Sequence, residues 1–191
     1  VPGHDEVSPG AVFGSVRESD INLTMARYLS ERFFADEHFE VATTRDLSTG
    51  DYIPSFVFDE EAQQRIVRWR ETLKSIFSFR ERQGLLTRAS VVAHNNASER
   101  VSTILYGINE WANEHDIDVV LHIHFNDYAS RKGTRVGKYS GFSIYVPDTV
   151  LPNARASRAL AESMYARLSE RFPSSDLPKE DIGIIPDQEL I

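Results

Sequence analysis

The sequence lacks cysteine, long apolar runs and any excess of basic residues. Without cysteine the chain forms neither disulfides nor thiolate metal sites, so a metal would have to bind through His, Asp or Glu. No stretch approaches the roughly 20 apolar residues that a membrane-spanning helix requires. The formal net charge of -8 argues against a nucleic acid partner, because phosphate binding depends on clustered Lys and Arg.

The residues that are present suit one globular domain. The 191 residues are 41% hydrophobic and 26% charged, which is enough apolar material for a full core without a second domain. The chain begins abruptly at Val1-Pro2-Gly3-His4, with a turn and no preceding strand. We therefore expect it to be part of a longer protein, and its first residues do not resemble a signal peptide.

Strand-like and helix-like segments alternate along the chain, which predicts an α/β fold. We expect a three-layer arrangement, in which a mostly parallel, twisted sheet is flanked by helices and carries a helical insertion. The predicted helices are 21–34 after the N-cap Asp20, a segment capped by Ser98, and a last long segment after Asn153. The predicted strands are 41–44, 142–146 and, as the central and most apolar strand, 117–125.

Residues 47–96 interrupt this alternation, because about fifty residues are more than a compact domain uses for one connection. We interpret the segment as an insertion with its own structure. It contains a predicted helix over 59–82, whose apolar residues recur at helical spacing. A structural role is the default for such a helix, and His94-Asn95-Asn96 at the exit of the insertion is interpreted as a polar loop.

Three features carry candidate chemistry: His4 in Pro-Gly-His, Glu18 just ahead of a predicted helix, and the strand end His122-Ile123-His124-Phe125-Asn126. The two-residue period of a strand points both imidazoles of this strand end to the same face of the sheet. Each feature also has a plainer interpretation. These are a structural histidine, a carboxylate that suits a helix N-terminus, and a core histidine followed by a loop histidine.

A set of three ligands can be drawn from these features. Hydrolytic zinc sites typically use three His or carboxylate ligands and leave one position open for water. His4, Glu18 and His124 would supply such a set. Other metal signatures fit less well, because His-Glu-x-x-His is absent and no histidine follows His124 to complete a three-histidine strand site.

The motifs, taken in order, resemble the zinc-dependent N-acetylmuramoyl-L-alanine amidases of the Amidase_3 type. The opening Pro-Gly-His is similar to the exit of the family's first strand, which would make His4 the first zinc ligand. Residues 17–23, Arg-Glu-Ser-Asp-Ile-Asn-Leu, resemble the family's glutamate and Asn-Leu helix start, which would make Glu18 the second. Residues 121–126, Leu-His-Ile-His-Phe-Asn, are similar to the family's Ser-x-His-x-Asn, which would make His124 the third.

Further segments extend the resemblance over nearly all the chain outside the insertion. They are the Thr-Arg strand in 41–46, the strand in 141–145 and the helix start in 157–161. The resemblance implies a single amidase catalytic domain over residues 1–191, truncated at both ends, with an insertion at about 47–96. The implied cofactor is Zn2+ and the implied substrate is the amide bond between N-acetylmuramic acid and L-alanine in peptidoglycan.

Two departures from the family pattern affect the site. His122 stands where the family usually has Ser, and we expect it, with Asn126, to support a ligand or contact substrate rather than to bind metal as a fourth ligand. A packing role in the core is the other interpretation of His122. The family's second glutamate, its general base, has no counterpart here, so we expect it after Ile191. Glu180 and Glu189 lie in polar, irregular sequence and are interpreted as solvated charges, as are Asp5, Glu6, Asp127 and Asp187.

The resemblance also implies an extracytoplasmic location, in the periplasm, the cell wall or the medium. The insertion helix could cover the site until an activator protein displaces it, or could grip the glycan. Two alternatives stay open for the function: another zinc peptidase that acts on stem peptides, or a catalytically silent relative that binds cell wall.

Overall fold

The computed structural model describes residues 1–87, 97–127, 131, 135–178 and 180–188. Over these residues the chain forms four α-helices, one short 3₁₀ helix and two small two-stranded sheets. The chain divides into two compact units, Val1–Val67 with Thr103–Val136, and Arg68–Ser102 with Gly137–Ile191. None of the helices in the described part is long and apolar enough to cross a membrane.

The first unit opens with a short antiparallel hairpin that leads directly into a helix. Strands β1 (Val12–Phe13) and β2 (Val16–Arg17) pair around Gly14, which has a positive φ of 62°. Helix α1 (Glu18–Phe34) follows without a break. The predicted N-cap Asp20 is wrong, because α1 begins at Glu18 and its N-cap is Arg17, so that Asp20 lies in the first turn. Glu18 is therefore part of the helix rather than ahead of it.

The hydrophobic core of the first unit joins the start of the insertion to a later helix. A 3₁₀ turn (Ser55–Val57) and helix α2 (Glu60–Arg82) precede α3 (Glu99–Glu114). The buried cluster consists of Phe56, Ala62, Ile66, Ile104 and Ile108. Gly107 allows this packing, because a Cβ there would lie 2.5 Å from Cδ2 of Phe56.

Local capping groups mark the starts of α2 and α3. Asp59 precedes α2 and its carboxylate accepts hydrogen bonds from the backbone N–H groups of Glu61 (2.9 Å) and Ala62 (3.2 Å). The hydroxyl of Ser98 accepts a longer bond, 3.4 Å, from the N–H of Val101 at the start of α3. The predicted helix over 59–82 and the predicted cap at Ser98 are therefore confirmed.

Two predicted strands of the first unit do not form as continuous strands. Of the segment 117–125 only Ile123 makes a bridge, a parallel one with Pro2, and Val119 is 57% exposed. The segment was predicted to be the central strand, and the exposure of Val119 shows that apolar composition alone does not supply a pairing partner. Residues 41–44 are also not a strand, although Arg45 bridges Tyr52 in antiparallel fashion.

The second unit contains a parallel strand pair packed with the last helix. Strand β3 (Ile144–Pro147) pairs in parallel with β4 (Ile184–Asp187), with Ile144 opposite Ile184. Helix α4 (Ala154–Leu168) begins after Asn153, as the sequence predicts, and buries Ala154 and Ala161. A further parallel bridge joins Phe142 to Ser174.

The α/β class of the fold is confirmed, since helices and strands alternate and both units contain parallel pairings. The three-layer sheet stays a prediction, because the sheets in the described residues have two strands each. The division into one catalytic domain with an insertion at 47–96 also stays a prediction. His94-Asn95-Asn96 and Glu189 lie outside the described residues.

Candidate metal centre

Parallel pairing of the chain start with residues 121–123 brings His4 to His124. The N–H of Gly3 donates to the carbonyl of Ile123 at 3.0 Å, and the N–H of Ile123 donates to the carbonyl of Val1 at 3.1 Å. Both histidines follow this pairing at the same end of their segments. Glycine is needed at position 3, because a Cβ there would lie 2.6 Å from Nε2 of His124.

The His4 imidazole is oriented by its own loop. Its Nδ1 lies 3.1 Å from the carbonyl oxygen of Ser8, so this nitrogen carries the proton and donates it. Its Nε2 lies 3.3 Å from Oε2 of Glu18. His4 also has a positive φ of 63°, which is uncommon for a residue with a side chain. The loop is tightened by Asp5, whose carboxylate accepts the N–H of Ser8 at 2.6 Å.

Glu18 lies at the centre of the site, with only 3% of its surface exposed. Its position in the first turn of α1 suits a carboxylate, because the helix N-terminus carries partial positive charge. Two backbone N–H groups hold it: Ala11 donates to Oε2 and Phe125 donates to Oε1, both at 2.9 Å. Gly10 makes room for this arrangement, since a Cβ there would lie 2.5 Å from Oε2 of Glu18.

His124 completes the group from the other side of the carboxylate. Its Nδ1 lies 3.1 Å from Oε1 of Glu18, and its ring meets that of His4 edge to face with centroids 5.1 Å apart. The His124 side chain is 38% exposed, whereas that of Glu18 is almost fully buried. The site is therefore closed beneath the carboxylate and open to solvent on the His124 side.

The electrostatics of the site favour a charged carboxylate. Burial raises the pKa of Glu18, but hydrogen bonds from His124, His4, Ala11 and Phe125 outweigh burial, and the pKa lies far below its usual range. The hydrogen bond to Glu18 raises the pKa of His4 above its ordinary value, although burial opposes the shift. A buried anion between two imidazoles is an arrangement that a divalent cation would stabilise.

The donor atoms have the spacing that a metal ion requires. One ligand atom each from His4, Glu18 and His124 lies within 4.8 Å of the other two. In a tetrahedral zinc site with metal–ligand bonds of about 2.0–2.1 Å, neighbouring ligand atoms are roughly 3.3 Å apart. His4 Nε2 lies 3.3 Å from Oε2 of Glu18 and His124 Nδ1 lies 3.1 Å from Oε1, so each imidazole is at a comparable distance from a different oxygen of the carboxylate. The three side chains can therefore hold a metal ion with one side left accessible.

A family model described as N-acetylmuramoyl-L-alanine amidase (Amidase_3) matches residues 1–184 of the chain. The chain belongs to this amidase family. Membership supports amidase activity on peptidoglycan, and the His4, Glu18 and His124 group fits the metal dependence that is typical of the family. No curated protein and no solved structure matches the chain.

The other predicted site residues of this amidase-family chain lie beside the group. His122 is half-buried, and burial lowers the pKa of its imidazole to about 3, so it is neutral at physiological pH. Asn126 is exposed. The group of ligand atoms found among the described residues does not include His122. Supporting or substrate-contacting roles for His122 and Asn126 stay predictions.

Several acidic residues expected to be solvated are not. Asp5 and Asp187 are buried. Glu180 is half-buried, and its carboxylate accepts hydrogen bonds from the hydroxyls of Ser143 (3.2 Å), Tyr145 (2.7 Å) and Ser175 (2.9 Å). Burial and this contact raise the pKa of Tyr145 well above its usual value. The surface interpretation was wrong for these three carboxylates, because an irregular polar sequence does not reveal which hydroxyls will surround a carboxylate.

Two buried polar residues that contact the site were missed. The side-chain amide of Asn22 donates to the carbonyl of Gly3 at 2.8 Å, and Nη1 of Arg45 donates to the carbonyl of His4 at 2.7 Å. Both occur in motifs that carry the family resemblance, Asn-Leu and Thr-Arg. Their appearance in those motifs was the available signal, but the sequence did not indicate which group each would bind.

Proposed function

We propose that the chain hydrolyses the amide bond between N-acetylmuramic acid and L-alanine in peptidoglycan, with a zinc ion held by His4, Glu18 and His124. The observation that carries the proposal is the convergence of these three donor side chains, far apart in sequence, within 4.8 Å. Family membership supplies the substrate. The same proposal makes the protein extracytoplasmic, because peptidoglycan lies outside the cytoplasm.

A zinc ion in this group would supply a Lewis acid that polarises the scissile carbonyl and lowers the pKa of a bound water toward about 7. The chain's own residues prepare that position. Glu18 offers a charged carboxylate held by two N–H groups, so it need not reorganise to bind a cation. The bond from Nδ1–H of His4 to Ser8 makes Nε2 the ring nitrogen that faces Glu18, and Nε2 would bind the cation after it gives up its proton. The exposed side of His124 leaves access for the substrate.

The proposal requires a general base that accepts the proton of the attacking water and returns it to the leaving amine of L-alanine. We place that base, a glutamate, after Ile191 in the full protein. Glu180 is a poor candidate, since three hydroxyls already occupy its carboxylate. His122 and Asn126 would act beside the metal ligands, by orienting them or by contacting the sugar or lactyl group.

The remaining parts of the proposal concern the fold and its partners. We retain the three-layer family fold and a single catalytic domain with an insertion at about 47–96. An activator that acts on the insertion helix has no support in the contacts of the described residues. Ala62 and Ile66 of α2 pack instead against α3, which favours a structural role for at least that half of the helix.

Digestion of purified sacculi by the full-length protein tests the reaction. The expected products are intact stem peptides with a free L-alanine amino group, and the glycan should keep its length. A chelator should abolish the release and added Zn2+ should restore it. The variants Glu18→Gln and His124→Ala should lose activity by more than about 100-fold, because each removes a ligand.

The same digestion separates the alternatives. Shortened stem peptides that remain attached to the sugar would indicate a zinc peptidase instead. No release of peptide by a zinc-loaded, full-length protein that still binds sacculi would indicate a catalytically silent relative. Either result would overturn the proposed amidase function.

A further inference from the structure

The two peptide groups on either side of His4 are each held by a side chain from a distant part of the first unit. The carbonyl of Gly3 accepts a hydrogen bond from Nδ2 of Asn22 at 2.8 Å. The carbonyl of His4 accepts one from Nη1 of Arg45 at 2.7 Å. The two carbonyls flank the N–Cα bond of His4, so together they fix the backbone from which the imidazole projects.

The backbone of His4 needs such support. Its φ of 63° lies in the left-handed region, which a residue with a Cβ adopts only when surrounding contacts impose it. The direction of the Cα–Cβ bond depends on this conformation. If His4 relaxed to a negative φ, its Nε2 would leave the position 3.3 Å from Oε2 of Glu18.

Both supporting side chains are buried, although burial of their polar groups is unfavourable. This indicates that their hydrogen-bond donors contribute to the structure of the site. Asn22 is 0% exposed, and its Oδ1 has no hydrogen-bond partner. Leaving a buried acceptor unsatisfied is unfavourable, so the residue contributes through its N–H donor. Arg45 is 2% exposed and donates from Nε to the carbonyl of Gly50 at 2.7 Å. Arg45 takes part in none of the ion pairs between described residues, and its guanidinium lies 6.0 Å from the ring centroid of Tyr52.

We propose that Arg45 and Asn22 are positioning residues that hold His4 in its left-handed conformation and thereby set the affinity and geometry of the metal site. The inference rests on the proposed function to the extent that His4 is a metal ligand. Neither side chain belongs to the group of donor atoms formed by His4, Glu18 and His124. Each acts through the main chain of His4, whereas outer-sphere partners of metal sites more often act on the ligand's side chain.

Metal affinity measured by competition with a chromophoric chelator tests the inference. Arg45→Met removes the donor and keeps much of the volume. It should weaken Zn2+ binding by about 10- to 100-fold, the range found when outer-sphere partners are lost. Arg45→Lys keeps a cationic donor and should fall between the wild type and Arg45→Met. Asn22→Leu should weaken binding in the same direction.

Arg27→Met is the matched control. Arg27 also donates to a carbonyl of the turn next to Arg45, that of Leu47 at 2.5 Å, but it does not touch His4. Its loss should leave Zn2+ affinity within about twofold of the wild type. A melt of each metal-free variant by circular dichroism establishes which variants are folded at the temperature of the titration.

A spectroscopic measurement separates positioning from a general loss of stability. The visible absorption of the Co2+-substituted protein reports the geometry of the ligands and does not depend on hydrolysis. Its bands should change in Arg45→Met and in Asn22→Leu, and should match the wild type in Arg27→Met. Folded Arg45 and Asn22 variants with wild-type affinity and wild-type Co2+ spectra would overturn the inference. A wild-type chain that binds neither metal would overturn the proposed function instead.

Discussion

At the scale of single residues, two glycines with positive φ make different demands on the chain. Gly10 has a φ of 74°, and a Cβ there would lie 2.5 Å from Oε2 of Glu18 and 2.6 Å from Cδ2 of His4. Gly10→Ala should therefore destabilise the metal-free chain by about 3 kcal/mol, from backbone strain and overpacking together. It should also weaken Zn2+ binding. Urea unfolding and a zinc titration measure the two effects.

Gly14 provides the control for this prediction. Its φ of 62° is similar, but a Cβ there would meet nothing within 4 Å. Gly14→Ala should cost only the backbone strain, about 1–2 kcal/mol, and should leave Zn2+ affinity unchanged. Equal effects of the two substitutions on metal binding would contradict the close packing of Gly10 against the site.

The charges of His4 and Glu18 predict how stability of the metal-free chain depends on pH. The pKa of Glu18 is lowered, so its contribution is present above its unfolded value of 4.5 and is lost as pH falls toward the folded pKa. The pKa of His4 is raised, so its contribution is present below 6.5 and is lost as pH rises through the folded pKa. The pair should therefore stabilise the fold most between these two values.

This pH window is measured by urea unfolding of the wild type and of Glu18→Gln, in the presence of a chelator, from about pH 4 to about pH 9. The difference between the two proteins is the informative quantity. The pKa of the half-buried His122 is lowered to about 3, and this shift by itself destabilises the chain as pH falls below 6.5. If the two proteins differ in the free energy of unfolding by the same amount at every pH, His4 and Glu18 do not titrate as described.

At this scale the sequence predicted which side chains would meet better than it predicted their surroundings. His4, Glu18 and His124 were singled out because the family motifs keep their order along the chain, and their side chains do converge. Their role as metal ligands stays a proposal. The contacts of Asn22 and Arg45 with main-chain carbonyls could not be predicted, because they depend on where the backbone of residues 3 and 4 lies. The burial of Asp5 and Glu180 was missed for the same reason.

At the scale of elements, the contact between α3 and the 3₁₀ turn makes a prediction that opposes helix propensity. Gly107 lies inside α3, where alanine would ordinarily stabilise by about 1 kcal/mol. A Cβ at this position would lie 2.5 Å from Cδ2 of Phe56 and 2.8 Å from Cδ1 of Ile66. Overpacking of about 1–3 kcal/mol should outweigh the gain, so Gly107→Ala should lower the free energy of unfolding.

A second substitution tests the cause of that loss. Phe56→Leu removes the ring that the new methyl group would meet, so adding Gly107→Ala to Phe56→Leu should cost less than adding it to the wild type. Thermal or urea unfolding of the four proteins gives the coupling. Stabilisation of the wild type by Gly107→Ala would contradict the close packing of α3 on Phe56.

Helices were predicted well and strands poorly, for physical reasons. Residues 59–82 and the segments after Ser98 and Asn153 have apolar periodicity, and the first two also have capping groups, Asp59 and Ser98, all of which are present in the sequence itself. Strands need a partner, and in the described residues neither 41–44 nor most of 117–125 pairs as a strand, although Thr44 accepts one backbone hydrogen bond, from Ile53. The apolar composition of 117–125 therefore predicted a strand that leads to the site, but it did not predict how many residues of that strand pair.

At the scale of the whole molecule, the segment that we interpret as an insertion contributes to the core as well as to the surface. Phe56, Ala62 and Ile66 pack with Ile104 and Ile108. Deletion of residues 55–90 should therefore expose α3 and abolish cooperative unfolding, as measured by circular dichroism on heating. Loss of one such side chain alone, Ile66→Ala, should cost about 2–5 kcal/mol.

Phe79→Ser is the control within the same helix, since Phe79 is 54% exposed and its loss should change stability by less than about 0.5 kcal/mol. A folded protein without residues 55–90 that hydrolyses sacculi faster than the wild type would contradict this account. It would support the idea of an insertion that covers the site.

At this scale the sequence predicted the α/β fold class and the family correctly. The three-layer sheet stays a prediction. Alternation of segments was sufficient for α/β, and the distributed motifs were sufficient for the amidase family. Strand order depends on contacts between distant segments that leave no local pattern, so periodicity could not supply it.

The central claim is that His4, Glu18 and His124 bind one zinc ion. Anomalous diffraction at the zinc absorption edge, from crystals of the zinc-loaded protein, tests it most directly. The account predicts one strong peak about 2.0–2.2 Å from a ligand atom of each of the three side chains. A peak held by other residues, or no peak between these three in a zinc-loaded crystal, would contradict it.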